Sequence, residues 1–191
     1  MLPAKRHHRY TYADYVGLEL SSPTKHEFLN GEIFAMAGGT EEHSALAAEV
    51  LGAFRDAARN GPCRVHTSDL RIYVESSGLA TFPDGAVICG ALEQHAPSPN
   101  ATALNPTVLL EVTSDSSEEY DTGEKLEYYR TIPSLQDYVV VSHRERRIVI
   151  HSRTASGEWT TRVAISGGRV SIPSLKGELS VNEIYSKSSI I

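Results

Sequence analysis

Asp84, Glu111 and Lys125 are the residues of this sequence whose types and surroundings could do chemistry. Asp84 follows Pro83 at the head of the apolar run GAVIC, and Glu111 lies near the end of TVLLEV, flanked by Leu109, Leu110 and Val112. Burying an unpaired carboxylate costs several kcal/mol or drives its pKa up until it is neutral, so an acid in such a strand calls for a metal or a cation. Two carboxylates on neighbouring strands could hold a divalent ion through oxygen, with the Val112 carbonyl as a third donor. Lys125, in the first turn of the next helical stretch, could then orient a water or stabilise charge developing on a phosphate. Each residue also has a plainer use: Asp84 as a turn cap, Glu111 as a structural partner of Lys125 or Arg130, Lys125 as a solvated helix lysine.

The elements that would position these residues follow from local pattern. Thr11 caps a short helix in TYADYVGLEL with Asp14 in its first turn. Asn30-Gly31 joins two short apolar-rich runs as a hairpin, because both turn positions tolerate positive φ. Gly38-Gly39 ends that pattern. Thr40 then caps a long helix, EEHSALAAEVLGAFRDAARN, whose His43, Leu46, Val50, Phe54 and Ala57 recur on one face. CRVHTSDLRIYV reads as strand, and TFPDGAVICG as a short strand entered through Pro83-Asp84. HAPSPNATALNP is a loop long enough to be the rim of a site. TVLLEV lacks alternation, as expected of a strand covered on both faces. Asp121 and Glu124 have capping-box spacing at the start of a helix that must end near Pro133. DYVVVS, RRIVIHSR, EWTTRVAI and RVSI form a β-meander pattern, and Ser180 opens a short terminal helix. The expected fold is a single α/β (α+β) domain over 1–191. Its mixed central sheet, with strands near 65–74, 83–89, 107–112 and 137–142, is flanked by helices, with an N-terminal hairpin and a C-terminal β-meander.

Several other residues have a structural reading that outweighs a functional one. Asp121 is expected to be a helix cap, His43 a packed or hydrogen-bonded residue, and Glu27 a surface or structural acid. Tyr128-Tyr129 is expected in the core, and His7-His8 as a solvated terminal pair. Ser114 to Ser117 form a loop without the strand-turn-helix elbow of a nucleophilic serine. Cys63 and Cys89 make neither a disulfide scaffold nor a zinc site, and are expected as buried free thiols in a reducing, cytoplasmic setting. No apolar run of about 18 residues exists, so no membrane span is expected, and the basic start MLPAKRHHRYTY has no apolar stretch after it to make a secretory signal. The net charge of -6 argues against tight, sequence-independent duplex binding, although a site that gathers carboxylates for a metal is itself acidic.

The ordered set resembles the PD-(D/E)xK nuclease superfamily, and more closely its Uma (Uma-two) restriction endonuclease family. The matching stretches are EFLNGEIFAMAGGTEEH (27–43), FPDGAVICG (82–90), NPTVLLEVTSDSSEEYDTGEKLEYYRTIPSLQDYVVV (105–141) and LSVNEIY (179–185). The third is the most specific, with its glutamate-valine, its Ser-rich loop, and then Tyr120-Asp121, Gly123-Glu124-Lys125 and Tyr129-Arg130. The resemblance implies a restriction-endonuclease-like core and an endonuclease acting on DNA phosphodiesters, with Mg2+ or Mn2+ held by Asp84 and Glu111. It places Glu27 near the site. It implies a homodimer, since small nucleases that cut both strands often act as symmetric pairs. The superfamily's usual lysine, two residues after the acid, is replaced here by Thr113, with Lys125 on the helix in its stead. Gly85 stands where an apolar β-branched residue is common, and is expected to loosen the strand beside Asp84. The competing reading is a non-catalytic nucleic-acid-binding or assembly module on the same fold.

Overall fold

The structure, a computed structural model, describes residues 9–95 and 101–190. Helix α1 (Tyr12–Ser21) starts at Thr11 with a reciprocal capping box to Asp14. Strands β1 (His26–Leu29) and β2 (Glu32–Ala35) form the expected hairpin, with Asn30 and Gly31 at φ 53° and 86°. Helix α2 (Glu41–Ala58) begins where Thr40 accepts from the His43 backbone, and buries Leu46, Val50 and Phe54.

The stretch read as one strand over CRVHTSDLRIYV divides. Its halves β3 (Cys63–Thr67) and β4 (Arg71–Val74) belong to different sheets, separated by a turn at Ser68 to Leu70. Strands β5 (Leu79–Thr81) and β6 (Gly85–Cys89) divide likewise around Pro83-Asp84. The short β7 (Thr102–Ala103) follows the long loop, then β8 (Val108–Val112). Helices α3 (Glu118–Thr122) and α4 (Glu124–Arg130) lead to β9 (Asp137–Val141), β10 (Arg147–Arg153) and β11 (Trp159–Ile165). The expected meander ends there. RVSI is β12 (Arg169–Ile172), which pairs with β13 (Gly177–Ser180) in a small sheet of its own before α5 (Val181–Ile184).

The strands thus make two main mixed sheets. A six-stranded sheet runs β11-β10-β9-β8-β6-β3 and a five-stranded one runs β2-β1-β5-β4-β7. Strands β8 and β9 are parallel, and β6 is antiparallel to β8. One face of the six-stranded sheet packs Val108, Leu110, Val112 and Val139 against Leu46, Val50 and Phe54 of α2. The other packs Leu109, Tyr138 and Val140 against Leu126 and Tyr129 of α4 and against Ile72 and Leu79 of the second sheet. With both faces covered, β8 is buried at every position, which accounts for its lack of alternation.

Two expectations are corrected here. Cys63 and Cys89 are not free thiols. The register of β3 and β6 sets them directly opposite, Cα atoms 3.9 Å apart, and they form a disulfide. Asp121 caps nothing: α4 starts at Gly123 without a side-chain cap, and Asp121 lies buried in α3. His7-His8 and the middle of the loop before β7 fall outside the described residues.

His151 on β10 shows how burial tunes this sheet. Its ring stacks near Tyr138, its Nδ1 lies 2.9 Å from Thr161 Oγ1, and burial, helped by Arg130, lowers its pKa to about 4. A depressed histidine pKa means that the folded protein binds fewer protons than the unfolded chain between about pH 4 and 6.5. Stability is therefore full above that window and falls as pH drops through it. Denaturant melts from pH 7.5 to 4 should show this loss, and His151→Gln should flatten it; an NMR titration placing His151 near its ordinary value would disprove the account.

Candidate active site

Lys125 lies at the centre of the site. It is 4% exposed and projects from α4 into a ring of three carboxylates. Its Nζ is 2.8 Å from Glu111 Oε1, 3.1 Å from Glu27 Oε1 and 3.4 Å from Asp121 Oδ1. Four separate elements supply these groups: β8, β1, α3 and α4. Each acid is itself held. Tyr129 donates to Glu111 Oε1 at 2.9 Å, and Thr81, across from Glu27 where β1 meets β5, donates to Glu27 Oε1. Tyr138 donates to the Asp121 carbonyl at 2.9 Å, and the rings of Tyr120 and Tyr129 lie 5.6 and 5.9 Å from the ammonium.

The electrostatics follow from burial and count. Burial alone would lower the Lys125 pKa, but Glu111, Glu27 and Asp121 overcome it and hold the ammonium well above its usual value. One cation cannot satisfy three acids. Burial raises Glu111 well above the ordinary carboxylate range and raises Asp121 as well, with Lys125 opposing in both cases.

Asp84 forms a second pair beside this cluster. The register Gly85↔Leu110, carried one step further, sets Asp84 across from Glu111. Asp84 Oδ2 accepts from the Val112 backbone N–H at 2.8 Å and from His43 Nε2 at 3.1 Å. The His43 pKa is raised, first by the hydrogen bond to Asp84, against burial, and further by a hydrogen bond to the Val112 backbone. Two glycines make the His43 approach possible. A Cβ on Gly39 would stand 2.6 Å from His43 Nδ1, and one on Gly85 would stand 2.5 Å from Leu51 Cδ2 on α2. The lack of a side chain at Gly85 leaves room for Leu51 of α2 against β6, on the helix that carries His43 to Asp84.

The structure thus brings together Asp84, Glu111, Val112 and Lys125, and also Glu27 and His43, which the sequence placed mainly in structural roles. It adds Asp121, hidden behind a capping pattern, and Tyr129, visible in the sequence only as a core aromatic. Thr113 sits two residues after Glu111 with its hydroxyl turned to His143 Nδ1, 2.8 Å away, and to the Val141 carbonyl. Among the described residues no three His, Cys, Asp or Glu side chains stand together in an arrangement that would hold a metal ion.

Comparison with known proteins identifies the family and the fold. Residues 12–182 match the family model described as "Uma2: Putative restriction endonuclease". The chain belongs to this family. It is 30% identical over 172 residues to the uncharacterized protein slr1290 of Synechocystis, a match covering 90% of this chain and 89% of the relative. It is 27% identical over 149 residues to sll1609 of the same organism, covering 78% and 84%. A crystal structure described as a putative nuclease belonging to DUF820, from Anabaena variabilis, superposes with a TM-score of 0.70 at 18% identity, covering 90% of this chain and 97% of that one. That likeness establishes the restriction-endonuclease-like fold of this Uma2 chain. No helix among the described residues is long and apolar enough to cross a membrane.

Removing the central cation should be costly. Lys125→Met would leave the buried Glu111 and Asp121 and the half-buried Glu27 facing one another without a cation, with an expected loss of about 3–5 kcal/mol at neutral pH. Burial already raises Glu111 and Asp121, and without Lys125 to oppose it they would be raised further in the folded state, so part of the loss should return as pH falls and they protonate. Urea melts of both proteins at pH 7.5 and 5.5 would check this; an unchanged midpoint at pH 7.5 would refute it.

Proposed function

We propose that this chain is a metal-dependent endonuclease that hydrolyses phosphodiester bonds in DNA at the Asp84, Glu111 and Lys125 cluster. One observation carries the reading: in a family of restriction endonuclease type, Asp84 stands across from Glu111 on adjacent strands while Lys125 contacts Glu111 at 2.8 Å. The donor set suits a hard divalent cation. It consists of two carboxylates and the Val112 carbonyl, all oxygen, in a site where Asp84, Glu111, Glu27 and Asp121 stand around one lysine. Asp84, Glu111 and Val112 would hold Mg2+ or Mn2+, which would supply Lewis acidity and ease formation of a hydroxide nucleophile near neutral pH. Lys125 orients the attacking water and offsets charge that develops on the phosphate. Glu27 and Asp121 fix the ammonium from behind, and Tyr129 fixes the Glu111 carboxylate.

A second reading, a nucleic-acid-binding or assembly module without catalysis, is favoured by one feature: each acid of the cluster already has a protein partner, His43 for Asp84 and Lys125 for the rest. Plasmid cleavage with Mg2+ and Mn2+ separates the two. Under the first reading Asp84→Asn and Glu111→Gln each lower the rate by a factor of about 100 or more, on the order expected when charge stabilisation at the reacting group is lost. Equal rates for wild type and Glu111→Gln would move the assignment to the binding module.

We further infer that the protein works as a homodimer. Strand β11 is the outer strand of the six-stranded sheet, and its Val163 and Ile165 are 50% and 63% exposed. An outer strand with exposed apolar residues is a ready surface for a second copy. Sedimentation should give about twice the 20.9 kDa of one chain, and Val163→Lys should return it to one; wild type sedimenting as a single chain at 100 μM (roughly, the upper range of such assembly) would end this inference.

A further inference from the structure

We propose that the Cys63–Cys89 disulfide is a site of reversible thiol–disulfide exchange, attacked at Cys63 by a dithiol reductant that enters through the cavity between α2 and β3. The inference does not depend on the nuclease reading. Gly85, beside Asp84, opens the five-residue strand β6 and Cys89 closes it, so the disulfide and the acids lie at opposite ends of one strand. The bond also lies at the rim of its sheet. Strand β3 is an outer strand, paired on one side with β6. Cys63 is its first residue, and just beyond the bond the Gly90 N–H donates to the Pro62 carbonyl at 3.1 Å.

Access distinguishes this disulfide from a buried staple. Both cysteines are half-buried, while Val87 and Leu110, in the same core, are fully enclosed. Cys63 lines a cavity of about 710 Å3, and Ala48, Gly52 and Ala58 of α2 contribute small residues to its wall. A Cβ built on Gly52 would meet nothing within 4 Å, so the approach from the helix side is open. Disulfides within reach of solvent are the labile ones, because exchange needs a thiolate to reach a sulfur.

In the exchange, one thiolate of the dithiol attacks Cys63 Sγ. The bond to Cys89 breaks, and its electron pair leaves on Cys89 Sγ, which takes a proton from water. The second thiolate of the reductant then attacks the mixed disulfide, closes the reductant's own disulfide, and leaves Cys63 Sγ to be protonated. The dithiol loses two electrons and two protons, and the two cysteines gain them. Opening the bond removes a cross-link that spans 26 residues and constrains the unfolded chain, and it frees the end of β3. Cys63 and Val65 share a core with Ala53 and Ala57 of α2, so the loosened layer is β3 with the C-terminal half of that helix. The dithiol–disulfide balance around the protein thus sets how firmly this layer is held.

The test follows reduction by dithiothreitol in native buffer, with free thiols trapped by iodoacetamide and counted by mass spectrometry. We expect both cysteines to be trapped at a rate that stays level through urea concentrations below the unfolding transition. Gly52→Leu, which fills the cavity, should slow trapping by a factor of about ten. Cys89→Ser should leave a Cys63 thiol that reacts roughly tenfold faster than the Cys89 thiol left by Cys63→Ser. The reduced protein should melt about 5–15 °C lower, with faster amide exchange in β3 and the second half of α2, and oxidised glutathione should reverse both changes. Trapping that appears only as urea unfolds the chain would make the bond a structural staple and overturn the proposal. Trapping unaffected by Gly52→Leu, with Cys89 the faster thiol, would overturn the route through the cavity to Cys63. Failure of oxidised glutathione to restore the melting point would overturn reversibility. None of these readouts involves cleavage, so a failed nuclease reading leaves them unchanged.

Discussion

A lysine ammonium buried among three carboxylates is the constraint on which the rest of the structure depends. Burying such a cation alone would be prohibitive, so its partners must be in place for α4 to pack. Those partners come from different sheets, Glu27 from the five-stranded and Glu111 from the six-stranded one. One charge therefore pins the two sheets and the α3–α4 pair together at the same point. The tyrosines around it serve the same end, since Tyr129 and Tyr138 sit in the apolar core yet turn their hydroxyls to Glu111 and to the Asp121 carbonyl.

The second pair, His43 with Asp84, depends on a different kind of constraint. Here the requirement is closeness of backbone: α2 must lie near β6, and Gly85 permits it by having no side chain to meet Leu51. The same helix buries Leu46, Val50 and Phe54 against the far face of β8, the strand whose near face carries Glu111. Packing on one face of a strand thus sets the geometry of charge at its end. In the proposed mechanism these pairs also balance the site without a bound ion, with an imidazole on Asp84 and an ammonium on Glu111 where a divalent cation would act.

What could be read from the sequence divides along the same line. The Thr11 and Thr40 caps, the Asn30-Gly31 hairpin and the covered strand at 108–112 are local signals, and all appear where expected. The placement of Asp84 beside Glu111 was legible only through the ordered motif, because strand register is not written in either strand alone. Where a local signal met a tertiary demand, the tertiary demand won. Asp121 has capping-box spacing, but Lys125 claims its carboxylate and the helix breaks at Gly123 instead. Cys63 and Cys89 are 26 residues apart, and nothing short of the β3–β6 register shows that they meet. The same blindness joined β3 to β4, since strand-forming residues run on through a change of sheet.

The helix-borne lysine changes what holds the site in register. A lysine two residues after Glu111 would ride on the same strand, and its distance to the acid would be fixed by backbone geometry alone. Thr113 occupies that place and is spent on structure, tying β8 to the turn after β9 through His143 and the Val141 carbonyl. Lys125 instead reaches Glu111 from α4, so its distance depends on how Leu126 and Tyr129 pack against Leu109 and Tyr138. A core substitution in that layer would move the ammonium even though it touches no charged group. Glu27 and Asp121 answer this weakness. With three acids around it, the ammonium is restrained from three directions, and a small shift of the helix changes its share among them before it leaves Glu111.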